Sequence, residues 1–254
     1  IQPSTMSTRP HMKLTILLAL LFTSQSFSQP KVLLYYDMEG ISGINHWKQT
    51  SFRQEGYEQG RKFLTSDVNA AIAGLKDGGA GQIVVTDAHG SGNPDPDILL
   101  DEMDKRATFE FRDTAFAPYV DSPDPSYQAV VCIGMHARGG SKGFLAHTYT
   151  LEPAFNINAL EFTETTIIAV SAARFGIPVI MVSGDDVLQQ QVKEQFPDVE
   201  YAVVKYAKGR AFCDTLPQLV VRNNIYSAAK RAIQNLSRYK PFILKPPYEF
   251  KMSF

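Results

Sequence analysis

The sequence predicts an α/β fold built on a mainly parallel sheet with helices on both faces. Short apolar runs of strand length alternate along the chain with longer segments of helical periodicity. Parallel strands need such crossovers, which are usually helical. The 254 residues are 44% hydrophobic and 20% charged, with no internal repeat, and this excludes a disordered, collagen-like or coiled-coil protein.

Five apolar runs predict the strands of this sheet. They are Lys31–Tyr36 and residues 82–86, 128–133, 177–183 and 201–205. The first run is apolar almost throughout, which is typical of a strand that is buried on both faces of a parallel sheet.

Four segments predict the helices between and after these strands. Residues 55–76 carry apolar side chains at helical spacing, and Gly78 with Gly79 ends the pattern. The other helices are predicted over residues 164–175, 187–196 and 217–238. Residues 91–127 are rich in Asp and Pro without a clean period, so we expect a long excursion there, with local helix near residues 98–103.

The N-terminus has the pattern of a signal peptide. Lys13 precedes the apolar run 14–22, and Ser26-Phe27-Ser28 follows as a small-x-small cleavage site. A run of nine residues is less than half of the roughly 20 that span a bilayer, so we expect no stable membrane anchor. The alternative is a buried N-terminal helix. We therefore predict a signal peptide with upstream residues over 1–28, a mature chain from about Gln29, and a periplasmic or extracellular location.

Charge and cysteine content limit the remaining classes of protein. The chain has 25 basic and 26 acidic residues, and this balance argues against a nucleic-acid partner. Cys132 and Cys213 cannot form a disulfide framework, and their spacing is not that of a zinc ribbon.

Polar residues follow the predicted strands at the point where each strand ends. The segments are Asp37-Met38-Glu39-Gly40, Asp87-Ala88-His89, Gly134-Met135-His136-Ala137-Arg138 and Gly184-Asp185-Asp186. The carboxyl ends of parallel strands meet at one edge of a sheet, which is where ligands bind.

We expect two carboxylates and two or three imidazoles to converge on this edge: Asp37, Glu39, His89 and His136, with His147 eleven residues after His136. Imidazole with carboxylate, without thiolate, favours zinc or another catalytic divalent metal over a structural zinc site. Arg138 is a candidate to hold a carboxylate or an oxyanion, and Asp185 or Asp186 is a candidate to bind an amine.

A serine-hydrolase motif occurs in the same region. Residues 139–143 read Gly-Gly-Ser-Lys-Gly, which fits G-x-S-x-G. That motif needs a helix directly after the serine and a histidine far downstream, whereas the last histidine is His147. A glycine-rich loop that presents His147 to the site is the better interpretation.

In combination, these motifs resemble the DppA-type D-aminopeptidases, a family of zinc metallopeptidases. The matching segments lie over residues 37–43, 87–89, 134–138 and 178–186, followed by Val204-Lys205 and Arg210-Ala211, and the resemblance covers about residues 31–250. It implies a metal-dependent aminopeptidase that cleaves short peptides with an N-terminal D-amino acid, of the D-Ala-D-Ala type. The alternatives are another dinuclear metallohydrolase, such as an amidase or a phosphoesterase, and a non-catalytic peptide-binding protein.

The resemblance also implies the site residues. Two zinc ions per chain would be held by two acids, two histidines and a glutamate, namely Asp37, Glu39, His89, His136 and Glu164. Asp37 would bridge the ions, and Glu161 and Glu152 are alternatives for Glu164. His147 corresponds to a further catalytic histidine outside the ligand set, as acid, base or nucleophile.

The resemblance carries an expectation about the C-terminus. Members of the family continue for several dozen residues beyond the position of Phe254, so we expect a catalytic domain over 29–200 and the start of a reduced or truncated second domain over 201–254. The family's ring-like assembly implies a homo-oligomer.

Overall fold

The computed structural model describes residues 29–111, 118–149 and 154–253. The predicted signal peptide and Glu152 lie outside these residues. No helix in the described ranges is both long enough and apolar enough to cross a membrane.

Ten strands form two sheets in this part of the chain. Seven of them build the large sheet: β1 (Lys31–Tyr36), β2 (Gln82–Asp87), β3 (Thr108–Glu110), β4 (Ala129–Met135), β7 (Val179–Asp185), β8 (Glu200–Ala207) and β9 (Cys213–Thr215). Their order is β3-β2-β1-β4-β7-β8-β9, and every neighbouring pair is parallel except β8 with β9. The predicted mainly parallel sheet is therefore confirmed.

The order of the strands reverses direction between β1 and β4. The chain runs from β1 outward through β2 to β3, and later from β4 outward through β7 to β8. A crevice opens beyond the carboxyl ends of the two strands at such a switch point. Asp37 follows β1 and His136 follows β4, so both side chains start at this crevice.

Helices cover both faces of the large sheet. On one face lie α1 (Tyr57–Asp77) and α5 (Gln218–Gln234), which pack against each other. On the other lie α3 (Glu164–Ala173) and α4 (Asp186–Gln195), with the short α2 (Pro118–Asp121) beside α3. Strand β1 is buried between the two layers, because Leu34 belongs to the first core and Leu33 to the second.

The second sheet is small and antiparallel, in the order β10-β5-β6. It consists of β5 (Ala154–Ile157), β6 (Leu160–Glu161) and β10 (Phe250–Ser253). The predicted boundary after residue 200 falls at the first residue of β8, which pairs with β7 in the large sheet. The division into two domains stays a prediction.

The helix predicted near residues 98–103 is wrong. The segment makes a single turn, in which the N–H of Met103 donates to the carbonyl of Leu99 at 2.9 Å. Side chains of α1 bind the neighbouring backbone groups instead: Thr65 accepts from the N–H of Leu99 at 3.0 Å, and Asn69 donates to the carbonyl of Glu102 at 2.9 Å. Tertiary hydrogen bonds thus replace those of a helix.

Candidate metal centre

The loop after β1 is pinned to the end of β4. The N–H of Asp37 donates to the carbonyl of Ile133 at 2.9 Å, and that of Gly40 donates to the carbonyl of Gly134 at 2.8 Å. A Cβ atom on Gly40 would lie 1.9 Å from the carbonyl oxygen of Met135, so only glycine permits this approach. The close contact places Asp37 beside the ligands that follow β4.

The first group of candidate ligands comprises Asp37, Glu39 and His89, all of them buried. The Nδ1 atom of His89 lies 2.8 Å from Oδ1 of Asp37 and 3.2 Å from Oε2 of Glu39. On the other side of the ring, Nε2 lies 2.7 Å from the carbonyl oxygen of Thr50.

The second group comprises His136, His147 and Glu164. The Nε2 atoms of His136 and His147 lie 3.4 Å and 3.8 Å from the carboxylate oxygens of Glu164. The two imidazole rings stack, with centroids 3.9 Å apart and planes at 14°. The resemblance implies a role for His147 outside the ligand set, and the structure brings its Nε2 atom beside the carboxylate of Glu164.

Asp37 joins the two groups. Its Oδ1 atom lies 2.8 Å from Nδ1 of His89, and its Oδ2 atom lies 3.2 Å from Nε2 of His136. Each group therefore has one oxygen of the same carboxylate within 3.2 Å of its histidine.

Backbone carbonyls fix the orientation of all three imidazoles. A carbonyl oxygen only accepts, so the ring nitrogen that faces it carries the hydrogen. His136 donates from Nδ1 to Ala137 at 3.0 Å, His147 from Nδ1 to Leu145 at 2.8 Å, and His89 from Nε2 to Thr50 at 2.7 Å. The opposite nitrogens face the carboxylates and are the atoms that would bind a metal, as in sites whose histidines are held by an outer hydrogen bond.

The cluster fits a divalent metal because its polar atoms lack other partners. Oδ2 of Asp37, Oε2 of Glu39 and Nε2 of His136 are buried and make no hydrogen bond. Buried polar atoms without partners are costly and rare in folded proteins. Carboxylate oxygens and imidazole nitrogens are also the donors that zinc accepts.

In the absence of metal, the imidazoles and carboxylates of the cluster stabilise one another's charged forms. Burial by itself lowers the pKa of His89 and His136, but Glu39 acts on the first and Glu164 on the second, and both pKa values lie well above 6.5. Burial by itself raises the pKa of Asp37, yet the two imidazoles hold it far below its usual range. A bound cation would take the place of the protons on these rings.

Glu164 is held at the start of α3. Thr163 caps the helix by accepting from the N–H of Thr166, so Glu164 is the first helical residue. Its Oε2 atom accepts from the hydroxyl of Tyr119, and its Oε1 atom accepts from the N–H of Tyr149 at 2.8 Å. Burial opposes the shift, but His136 and the other cluster contacts lower the pKa of Glu164 to about 2.

Several residues singled out in the sequence do not line the cavity. Arg138 forms an ion pair with Glu161, the alternative ligand, whose side chain is 47% exposed. Asp185 caps α4 by accepting from the N–H of Leu188 at 2.7 Å, and Asp186 accepts from the N–H of Ala207 at 2.8 Å. These two acids therefore serve the backbone and are not placed to bind a substrate amine.

The serine of the G-x-S-x-G motif is likewise in a turn. The hydroxyl of Ser141 donates to the carbonyl of Arg138 at 2.7 Å, and Ser141 does not line the cavity. This agrees with the interpretation of the segment as a loop that leads to His147.

Lys205 supports the site, a role that the sequence analysis did not predict. The residue appeared there only as part of the segment Val204-Lys205, which matches the family. Its side chain is fully buried, and its Nζ atom donates to the carbonyl oxygens of Glu39 at 2.7 Å and Ile44 at 2.6 Å. The signal that could have revealed this role is a lysine inside the apolar run of β8, since lysine is almost never buried without partners.

The cluster forms the floor of a cavity of about 1020 Å³. The walls come from four segments: residues 46–51, 88–90, 145–149 and 210–212. Tyr119 and Glu164 complete the lining on the side of α3. A volume of this size holds a small molecule or a short peptide beside the cluster.

An imidazole–carboxylate cluster under a cavity, at the switch point of a parallel sheet, defines a metal-dependent hydrolase of the α/β class. The chain belongs to the M55 peptidase family, whose model is described as D-aminopeptidase and matches residues 31–254. The predicted resemblance and the prediction of an enzyme that hydrolyses peptides are both confirmed.

A similar sequence and a similar solved structure support this assignment. A D-aminopeptidase of Bacillus subtilis (strain 168) is 28% identical over 218 residues, which are 85% of this chain and 78% of that protein. A solved structure, described as the Zn-dependent D-aminopeptidase DppA from Bacillus subtilis, a self-compartmentalizing protease, superposes with a TM-score of 0.78 at 27% identity. The match covers 84% of this chain and 77% of that one.

Proposed function

We propose that this protein is a two-zinc aminopeptidase that removes an N-terminal D-amino acid from short peptides of the D-Ala-D-Ala type. The observation that carries the proposal is the position of Asp37, which gives one oxygen to each of two candidate ligand groups. The structural relative is a Zn-dependent D-aminopeptidase, which supports the metal and the substrate class.

In this proposal the two groups share the work of holding the metal. Asp37, Glu39 and His89 would hold one ion, and His136 and Glu164 would hold the other, with Asp37 common to both. Bound zinc would supply Lewis-acid chemistry, by polarising a carbonyl group and lowering the pKa of bound water.

His147 moves the proton that the reaction requires. Its Nδ1 atom donates to Leu145, so Nε2 is the atom that accepts or donates a proton at the cavity. The imidazole side chain is 19% exposed, which leaves it accessible to a substrate. We assign it to protonation of the leaving amine, since a histidine held at the reacting group is the side chain that most often acts as a general acid.

Two further features belong to the proposal. The pattern of residues 1–28 supports an enzyme that acts in the periplasm or outside the cell. The structural relative is a self-compartmentalizing protease, which supports a homo-oligomer.

A phosphoesterase is the disfavoured alternative. Arg210 is the one Arg or Lys among the described residues that line the cavity. Phosphoryl groups usually meet several cations in the sites that bind them, so the charge of this cavity suits a peptide better.

The test compares release of alanine from D-Ala-D-Ala and L-Ala-L-Ala by zinc-loaded protein, chelator-treated protein and two variants. We expect turnover of the D-dipeptide by the zinc-loaded protein alone. His136→Ala should lose one of the two zinc ions and the turnover, whereas His147→Ala should keep both ions and lose turnover. Zinc binding without cleavage of either dipeptide would indicate that the site belongs to another class of metal-dependent hydrolase. A folded protein with neither zinc nor turnover would contradict the proposal.

A further inference from the structure

We propose that Arg210 binds the C-terminal carboxylate of the substrate, so that the site selects peptides with a free carboxylate one residue beyond the scissile bond. This inference rests on the proposed function and specifies its substrate class as free dipeptides.

The distribution of charge in the cavity is the first observation. Three carboxylates, those of Asp37, Glu39 and Glu164, lie together in the candidate metal centre. Among the described lining residues, Arg210 is the one that carries a fixed positive charge. A carboxylate on a substrate therefore meets one strong partner away from the metal ligands, and a guanidinium matches it with two parallel hydrogen bonds.

The second observation places Arg210 on the same wall as His147. The N–H of Leu145 donates to the backbone carbonyl of Arg210 at 2.9 Å. The carbonyl of the same Leu145 accepts from Nδ1 of His147 at 2.8 Å. Leu145 thus connects the backbone of Arg210 to the imidazole of His147 through one hydrogen bond to each.

The turn that carries Arg210 is itself fixed. It connects β8 to β9, and the N–H of Lys208 donates to the carbonyl of Phe212 at 2.8 Å. Gly209 takes a left-handed conformation, with φ of 108°, which starts the reversal of the chain. Arg210 therefore lines the cavity from an anchored backbone position.

The position of the leaving amine then determines where the C-terminal carboxylate of the substrate lies. His147 protonates the leaving amine, so the leaving residue lies on the wall of His147. In a dipeptide the carboxylate follows that amine by one residue, which is at most about 3.5 Å of extended chain. Longer peptides carry the carboxylate further away, and amides or anilides lack it.

The test measures kcat and KM for D-Ala-D-Ala and for D-alanine p-nitroanilide, which has the same N-terminal residue and no carboxylate. Arg210→Ala should raise KM for the dipeptide roughly 10- to 100-fold, as expected for the loss of a charged hydrogen bond, with kcat little changed. The anilide should be hydrolysed as by the wild type. Arg210→Lys should lie between the two, because it keeps the charge and loses the paired geometry.

A matched control is Lys208→Ala in the same turn, whose side chain is exposed and pairs with Asp214 at the surface. It should leave both substrates unaffected. An equal loss on both substrates by Arg210→Ala, or no loss on the dipeptide, with zinc content intact, would overturn the role of Arg210 and leave the proposed function standing. A wild type that hydrolyses neither substrate would overturn both.

Discussion

The Nζ atom of Lys205 donates a hydrogen bond of 2.7 Å to the backbone carbonyl of Glu39, behind the candidate metal ligands. A second bond of 2.6 Å reaches the carbonyl of Ile44, and the ammonium lies 4.8 Å from the ring centroid of Phe144. Burial lowers the pKa of Lys205 to about 8, so the side chain is charged at neutral pH. A buried cation therefore connects two backbone carbonyls of the loop that carries Glu39.

Replacing Lys205 by Met should loosen this loop. Two buried carbonyls would lose their donor, and each unpaired group costs about 1–3 kcal/mol. We expect a lower free energy of unfolding of the metal-free protein in urea and weaker zinc binding in a competition titration. Lys208→Met is the control, since its exposed side chain predicts a change within about 0.5 kcal/mol. Unchanged stability and zinc affinity in Lys205→Met would show that the conformation of the loop does not depend on Lys205.

Tyr119→Phe should weaken zinc binding while the protein stays folded. The hydroxyl of Tyr119 donates to Oε2 of Glu164, and loss of such an outer hydrogen bond typically lowers metal affinity roughly 10- to 100-fold. Tyr127→Phe, before the opposite end of β4, should bind zinc as the wild type does. Equal zinc affinities in the two variants would remove Tyr119 from the support of the site.

Zinc binding should release protons and strengthen as the pH rises. The imidazoles of His89 and His136 have raised pKa values in the metal-free protein, because acids surround them, and they must lose their protons to bind metal. Calorimetry of zinc binding at pH 7 in buffers of different ionisation enthalpy measures this release. A binding enthalpy that is independent of the buffer would contradict the expected proton release.

The same shifts set the stability of the metal-free protein. The folded pKa of these histidines lies above the unfolded value of about 6.5, so the folded state binds the extra protons. Their stabilisation is complete below that pH and is lost as the pH rises through the folded pKa. Urea unfolding of the metal-free wild type and of His89→Ala across this range measures the difference in stability, which should shrink with rising pH. A difference that grows instead would show that the imidazole is neutral in the folded protein.

The central elements of the fold were predictable because their signal is local. Strand β1 was predicted with the bounds it has, and helix α1 begins and ends within two residues of the predicted segment. The short strands β3, β5, β6, β9 and β10 were not predicted. Each has only two to four residues and is defined by the strand with which it pairs. For β3 and β10, that partner strand is distant in the sequence.

The site was predictable for a different reason. Asp37, Glu39, His89 and His136 follow strands, and parallel topology alone brings strand ends together. Tyr119 was missed because it comes from the segment without periodicity, and its position depends on packing against α3. Arg138 was misleading, because residues after a strand end can turn outward, here to Glu161.

The number of zinc ions bound per chain tests the bridging position of Asp37 most directly. Titration of the metal-free protein, followed by metal analysis after removal of free zinc, should give two ions for the wild type and one for His89→Ala. Asp37→Ala should lose stoichiometric binding at both positions, since each ligand group loses an oxygen. A wild type that saturates at one ion, or an Asp37→Ala variant that still binds two, would contradict the two-metal account.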